Sequence, residues 1–491
     1  KMAEFLFNFE LNTQTSYQNQ IREYLIGLIK CNYFGEQPLP SSRKMAQLMR
    51  VSRNTIVIVY NSLVEEGYLV SRERSGFYVN EEIKLEKQLQ LQPNNTNVDE
   101  YSTSFAPYWN NLLKRKPANF TRLEKDPEWI NYPYPFIYGQ IQPEDFPLYQ
   151  WRECSRQAQG KGSLKHWIED YIDADDPELV LQICQQVLVR RGIKASPDEV
   201  LITLGTQNSL FMLANLLANN ETIVGCEDPG YADLRNIFEH AGANIKALQL
   251  NDEGIILGTQ LKECDYVYVT PSHQYPTTVT MPVHKRTALL QQAHKDNFVI
   301  IEDDYESEVN FIEEPLPALK SLDSHGRVIY VGSISKSLSP GLRIGYVVAD
   351  KELICQIRAL RRLNYRHPPA NNQRTLALFF SQGYYDSHVR RMRKVYKKKW
   401  QVMDENIKRY LTTCEVISAP GSFCFWVKLP SSLPSKTLVK EASKKGVLVE
   451  AGDSLFMEGY SSHIRLGFSA IQESKIAEGI IILGQIIKGL S

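Results

Sequence analysis

The run YVGSISKSLSPGLRIGY, residues 330–346, governs the interpretation of this chain. It continues the apolar segment RVIYVGS (327–333), whose β-branched content and length predict a strand. Lys336 therefore stands just past a strand end, after Ser333 and Ser335 and before a glycine-containing loop that leads to Arg343. An amine so placed can reach an aldehyde while hydroxyls and a guanidinium neutralise a phosphate dianion, which is what a pyridoxal 5'-phosphate (PLP) site needs. Lys336 would carry the imine, and Ser333, Ser335 and Arg343 would take the phosphate. Alone, S-x-S-K also describes an exposed lysine on a serine-rich loop.

Three other segments bear on that choice. In FVIIEDDYESE (298–308) a continuous apolar strand ends in carboxylates and a tyrosine. Asp303 is placed to pair with a pyridinium nitrogen, and Tyr305, two residues on and on the same side, to donate to the oxygen of the ring hydroxyl. Glu302, Asp304 and Glu306 are expected simply to end the strand at the surface. In LITLGTQNSLFMLANLL (201–217) a strand meets Gly205, Thr206 and Gln207 and then a helix, whose N-terminal amides make an anion site suited to the same phosphate. In CEDPGYADL (226–234) Tyr231 follows a strand and a Pro-Gly turn, where it either stacks on the ring or packs as an ordinary aromatic. With VLITL (200–204), TIVGCE (222–227) and YVYVT (266–270), these short runs alternate with helical stretches, which implies a mostly parallel sheet covered on both faces.

Length and charge set the outer limits. A chain of 491 residues exceeds one ordinary core, so two or three domains are expected. Lys plus Arg equals Asp plus Glu at 56 each, so no net field draws the molecule to nucleic acid and any DNA contact must be local. The eight cysteines (Cys31, Cys154, Cys184, Cys226, Cys264, Cys355, Cys414 and Cys424) form no C-x-x-C pair, which argues against a metal site or a disulfide framework. No apolar run reaches membrane-spanning length and the first residues lack a signal pattern, so the expectation is a cytoplasmic protein without a membrane partner. Lys1, ahead of Met2, is expected to be a cloning remnant.

At the other end of the chain, LPSSRKMAQLMRVSRNTIVIVYNSLVEEGYLVSRERSGFYV (39–79) reads as helix, break, helix and hairpin. Met45, Leu48 and Met49 face inward on the first helix; Ile56, Tyr60 and Leu63 recur at helical spacing on the second. Ser52 caps that second helix, and beside it Arg53, Asn54 and Thr55 occupy the positions a recognition helix presents to the major groove. Arg72 and Arg74 flank a turn at Ser75 and Gly76, as the wing of a winged helix-turn-helix would. The polar stretch from about Glu81 then reads as a linker. The expected organisation is a DNA-binding domain over 1–80, a linker over 81–125 and a large domain over 126–491.

The segments LPSSR (39–43), VSRNT (51–55), EEGYL (65–69) and RSGFYV (74–79) resemble the GntR family of winged-helix regulators. That resemblance implies DNA contacts from Arg43, Arg53, Asn54, Thr55 and Gly76, with Ser52 beside them. From about residue 130 onward, the order G-T-Q, D-P-G-Y, S-H-Q-Y-P-T, E-D-D-Y and S-I-S-K resembles fold type I aminotransferases. The fusion of the two resembles the MocR subfamily. It implies an α/β protein in which a winged helix-turn-helix precedes a fold type I domain with a mostly parallel sheet and a smaller C-terminal α+β subdomain. It also implies a head-to-tail homodimer on double-stranded DNA, a small amino-acid-like effector sensed by an external aldimine, and Arg465 in HIRLGFS (463–469) as the grip for the effector carboxylate. Two departures stand out. SHQYPTT (272–278) places Tyr275 where working aminotransferases carry an asparagine beside the ring oxygen, and Thr278 where they carry glycine. YIDADDP (171–177) departs from Y-G-D-P-x-G, and RHPPANNQR (366–374) either lines the effector pocket, makes a subunit contact or simply packs. The competing expectation is an active PLP-dependent aminotransferase with an appended DNA-binding domain.

Overall fold

The computed structural model describes residues 11, 15–73, 75–83, 107–169, 173–306, 310–311, 316–334, 336–430, 433–459 and 461–491. Arg74, Ser335, Tyr171 and most of the expected linker lie outside the described residues. The chain divides into two compact units, 1–114 and 115–491.

In the first unit, α1 (Tyr17–Lys30), α2 (Ser42–Met49) and α3 (Arg53–Glu65) precede a hairpin of β1 (Leu69–Arg72) and β2 (Gly76–Val79). Ser41 caps α2 through Lys44 N–H, and Ser52 caps α3 by accepting from Thr55 N–H at 3.1 Å. Between the two helices Arg50 adopts a left-handed conformation, which allows the tight break. Met45, Met49, Ile56, Tyr60 and Leu63 form one buried cluster with α1, while Leu48 packs at its margin. The Tyr60 hydroxyl donates to the Pro40 carbonyl at 2.8 Å, so the largest side chain of this small core has its polar end satisfied.

The second unit is built on a seven-stranded sheet. After β3 (Tyr134–Phe136), its strands are β4 (Val200–Thr203), β5 (Ile223–Glu227), β6 (Asn244–Leu248), β7 (Tyr266–Val269), β8 (Val299–Asp303), β9 (Val328–Ser333) and β10 (Gly345–Val348). Their order across the sheet is β4-β10-β9-β8-β7-β5-β6, and only β10 runs antiparallel to its neighbours. Every residue of β4, β9 and β10 is buried, as a sheet covered on both faces requires. A second sheet, in the order β11 (Glu415–Ile417), β12 (Cys424–Lys428), β14 (His463–Gly467), β13 (Val447–Ala451) and β3, forms the smaller C-terminal part. β3 thus leaves the start of the large unit to pair, in parallel, with a strand more than three hundred residues further on.

Helices α4 (Thr206–Leu217), α5 (Lys351–Asn364), α6 (Ala370–Ser381), α7 (Tyr384–Tyr410) and α8 (Glu473–Leu490) complete the part of the frame that matters here. The segment before Pro177 is clamped from α5. The fully buried Arg361 donates to Asp175 Oδ1 at 2.7 Å and to the carbonyls of Ile202, Asp173 and Arg366. Asp176 N–H donates to Gln373 Oε1 at 2.9 Å, and its carboxylate pairs with Arg374 at 2.8 Å, so part of 366–374 packs against 173–176. Replacing Asp175 by alanine strands a buried guanidinium, and a loss of about 3–5 kcal/mol in urea unfolding of the chain is expected; a loss below about 1 kcal/mol would contradict the clamp.

Candidate functional site

β8, β9 and α4 all present one end to the same space, because parallel strands bring their carboxyl ends together. A cavity of about 990 Å³ opens there, lined by Thr206, Gln207, Tyr231, Tyr268, Tyr275, Asp303, Tyr305, Ser333, Lys336 and Arg343, and by Arg122 to Lys125 from the last part of the expected linker. Gly205 stands just outside, as the N-cap of α4. All the residues marked in the sequence for a cofactor, except the undescribed Ser335, are therefore gathered at one place.

Lys336 Nζ lies 4.5 Å over the ring of Tyr138. Burial lowers its ammonium to about 8, helped by the charges of Lys125 and Arg465 and opposed by Glu306 and Glu450. A sizeable neutral fraction near physiological pH is what a nucleophilic amine requires. Asp303, at the end of β8, is 4% exposed. Its Oδ2 accepts from the Tyr268 hydroxyl at 2.6 Å, whereas its Oδ1 is buried with no hydrogen-bond partner among the described residues. Burial raises this carboxyl to about 7, so its charge is costly until a cation meets it.

The phosphate end is equally incomplete. Gly205 has φ +111° and ends against Arg343, whose Nη2 would lie 3.0 Å from a Cβ at that position, so the strand-to-helix turn accepts only glycine. The buried Thr206 Oγ1 at the first turn of α4 has no partner among the described residues. With the N–H groups of α4, the Arg343 guanidinium and Ser333, it makes a cradle for a dianion. Gln207 points its amide to Asp233 at 3.3 Å, at the rim. These atoms fit the PLP expected from the sequence: a carboxylate for a ring N–H, an anion cradle, and an amine lining the same cavity.

Tyr231 and Tyr275 meet edge to face at 5.5 Å, and Tyr275 meets Tyr305 at 5.7 Å, so the cavity has an aromatic wall. The Tyr305 hydroxyl donates to the His273 carbonyl at 2.8 Å, and it would have to release that carbonyl to donate to a ring oxygen. Thr278 keeps a left-handed backbone, φ +69°, at the position where the related motif carries glycine.

Arg465 does not line the cavity; it lies behind its wall, 1% exposed, with its guanidinium 4.4 Å from the Tyr138 ring and 4.7 Å from that of Tyr275. Its Nη2 donates to Glu450 Oε2 at 3.1 Å, while Nε and Nη1 have no partner among the described residues. Glu450 also accepts from Tyr138 N–H and so ties the arginine to the segment just after β3.

The acids expected at the surface are buried instead: Glu302, Asp304 and Glu306 are 1%, 2% and 3% exposed. Each is buried by chain distant in sequence. Asp304 meets Arg191 Nε at 2.7 Å and accepts from Ser272 and Tyr330; burial works against its charge, but the guanidinium and these hydrogen bonds hold it below the usual carboxylate range. Glu302 accepts from Lys320 N–H, and Glu306 accepts from the Tyr138 hydroxyl at 2.7 Å and faces His273 at 3.4 Å. Tyr138, Lys125, Tyr268, Glu450 and Glu306 were not marked as site residues from sequence. Only Tyr268, on the alternating strand YVYVT, carried a local signal.

In the first unit Arg43, Ser52, Arg53 and Asn54 are exposed around the N-terminal ends of α2 and α3. Thr55 is half-buried, with its hydroxyl 2.8 Å from that of Ser52. Arg53 Nε donates to Ser42 Oγ at 3.4 Å. On the hairpin, Arg72 lies 4.6 Å over the Tyr78 ring and pairs with Glu81 at 3.2 Å, and Gly76 opens β2 in an exposed turn. Replacing Arg53 by alanine is expected to cost roughly 1–3 kcal/mol of promoter binding, measured by fluorescence anisotropy across a salt series, with unchanged binding as the contrary result.

Comparison with known proteins gives both halves a match. Residues 145–482 match the family of aminotransferases of class I and II, and residues 18–79 match bacterial regulatory proteins of the gntR family. The HTH-type transcriptional regulator TauR of Rhodobacter capsulatus is 36% identical over 478 residues, 97% of each chain. The probable rhizopine catabolism regulatory protein MocR of Rhizobium meliloti is 29% identical, covering 94% of this chain and 91% of that one. Among solved structures, LysN, an α-aminoadipate aminotransferase of Thermus thermophilus complexed with N-(5'-phosphopyridoxyl)-L-leucine, superposes with a TM-score of 0.70 at 28% identity, over 78% of this chain and 99% of that one.

Proposed function

Because the chain belongs to the class I and II aminotransferase family and, through its gntR-type module, to the MocR subfamily, we propose that it is a PLP-dependent transcription regulator that senses a small amino compound. The carrying observation is that Asp303 Oδ1 and Thr206 Oγ1 are buried polar atoms without hydrogen-bond partners among the described residues, in residues that line one cavity with Lys336. PLP, when bound, supplies an electrophilic carbon and an electron-withdrawing ring. The protein's own groups do the rest. Asp303 would hold the ring proton, Gly205, Thr206, Ser333 and Arg343 would bind the phosphate, and Tyr231 and Tyr275 would wall the ring. Lys336 Nζ would hold the cofactor's aldehyde carbon, and Arg465 would attract the effector's acid through Nε and Nη1.

The winged helix reads DNA with Arg43, Arg53 and Asn54, and an effector changes promoter binding to the extent that it binds one arrangement of the protein more tightly than another. The resemblance to MocR proteins also supports a head-to-tail homodimer on two half-sites and a cytoplasmic location. No helix among the described residues is long and apolar enough to cross a membrane.

Arg465→Ala tests the sensing role. The PLP-loaded variant is expected to keep the visible absorbance band of wild type but to need roughly tenfold or more of an amino acid to perturb it, from the loss of a charge-assisted hydrogen bond. An unchanged response would assign the acid to another group.

A further inference from the structure

We infer that Lys125 is a second cationic anchor for the effector, and that it restricts the effector to amino compounds carrying an acidic group close to the amine. This rests on the PLP reading above and deepens it. Two amines converge on one point: a Cβ on Gly139, which has φ +84°, would lie 3.1 Å from Lys336 Nζ and 3.2 Å from Lys125 Nζ. The room above Gly139 is therefore where an incoming amine exchanges with Lys336, and Lys125 borders that same room.

Lys125 lines the cavity and makes no hydrogen bond or ion pair among the described residues, although it feels the more distant charges of Glu450 and Asp233. Of the other cations around the cavity, Arg122 has no atom within 4 Å of that Cβ. Arg343 belongs to the phosphate cradle, Lys336 to the cofactor, and Arg465 shares its charge with Glu450. Lys336 and Arg465 lie 4.5 Å and 4.4 Å from the one Tyr138 ring, so an acid drawn to Arg465 Nε or Nη1 stays within a short chain length of the exchanging amine. An ammonium beside the exchange point attracts such an acid at short range and does nothing for a plain amine. As a merely solvated lysine it would need no approach to Lys336. Its charge here also disfavours protonation of the Lys336 amine, which a remote surface lysine would not do.

The experiment uses the full PLP-loaded chain and three matched pairs: glycine with methylamine, β-alanine with ethylamine, and γ-aminobutyrate with propylamine. For wild type, at least one amino acid is expected to perturb the visible band at about a tenth or less of the concentration its matched amine needs. In Lys125→Gln the band remains and that preference, taken as the ratio between each amino acid and its matched amine in the same variant so that any change in Lys336 itself cancels, falls about tenfold; Lys125→Arg restores it. A preference unchanged in Lys125→Gln, or a wild type that answers acids and plain amines alike, overturns the inference while leaving the cofactor site standing. A wild type with no visible band overturns the cofactor reading and this inference together.

Discussion

Lys336→Ala protein supplied with PLP is expected to lose its visible absorbance band completely, keeping only the spectrum of free cofactor. The expectation follows from position. Lys336 follows β9, lines the same cavity as Asp303, and has an ammonium depressed to about 8, so a neutral amine is available in the space where the cofactor's aldehyde would sit. Lys125 is near enough to require a control. Borohydride reduction of the wild type followed by peptide mapping should place the adduct on residue 336; an adduct on residue 125, or a band that survives in Lys336→Ala, would contradict the assignment.

Asp303→Ala carries the next largest effect. Its Oδ1 is a buried acceptor with nothing to accept from, and its carboxyl is raised to about 7 because burial penalises the charge. A ring N–H delivered to that oxygen removes the penalty and adds a charge-assisted hydrogen bond, worth roughly 1.5–3 kcal/mol. PLP affinity in equilibrium dialysis is therefore expected to fall roughly 10- to 100-fold. Asp303→Asn, which keeps the shape and the Tyr268 contact but not the charge, should fall in between. Wild-type affinity in Asp303→Ala would remove the pyridinium partner from the scheme.

Local pattern made much of this legible. Ser52 and its helix, the β1–β2 turn at Gly76, and the apolar runs of β4, β8 and β9 are each encoded within a dozen residues, and the polar groups at their ends follow from strand and helix geometry. What escaped is what the chain brings from far away. Glu302, Asp304 and Glu306 look like ordinary strand-ending acids until Arg191, Lys320 and Tyr138 arrive to cover them. Glu450 reaches Tyr138 across 312 positions, and no periodicity records that. YIDADDP, legible only as a departure, contains the Asp175 that the buried Arg361 needs.

In the proposed scheme Tyr275 would separate sensing from turnover. It stands where related enzymes carry an asparagine, and it lies over Arg465 rather than leaving that arginine open to the cavity. An acid reaching Arg465 must therefore displace an aromatic wall. Under that proposal, movement of the wall is the change an effector would bias, through its differential affinity for the two arrangements.

The most direct measurement follows both halves at once, with PLP-loaded protein on labelled DNA from its own promoter titrated with the amino acid that perturbs its spectrum. Absorbance and DNA anisotropy should change over the same range of amino acid concentration, with no keto acid accumulating. A spectral change that leaves DNA binding untouched, or steady keto acid production, would contradict a regulator that senses through Lys336.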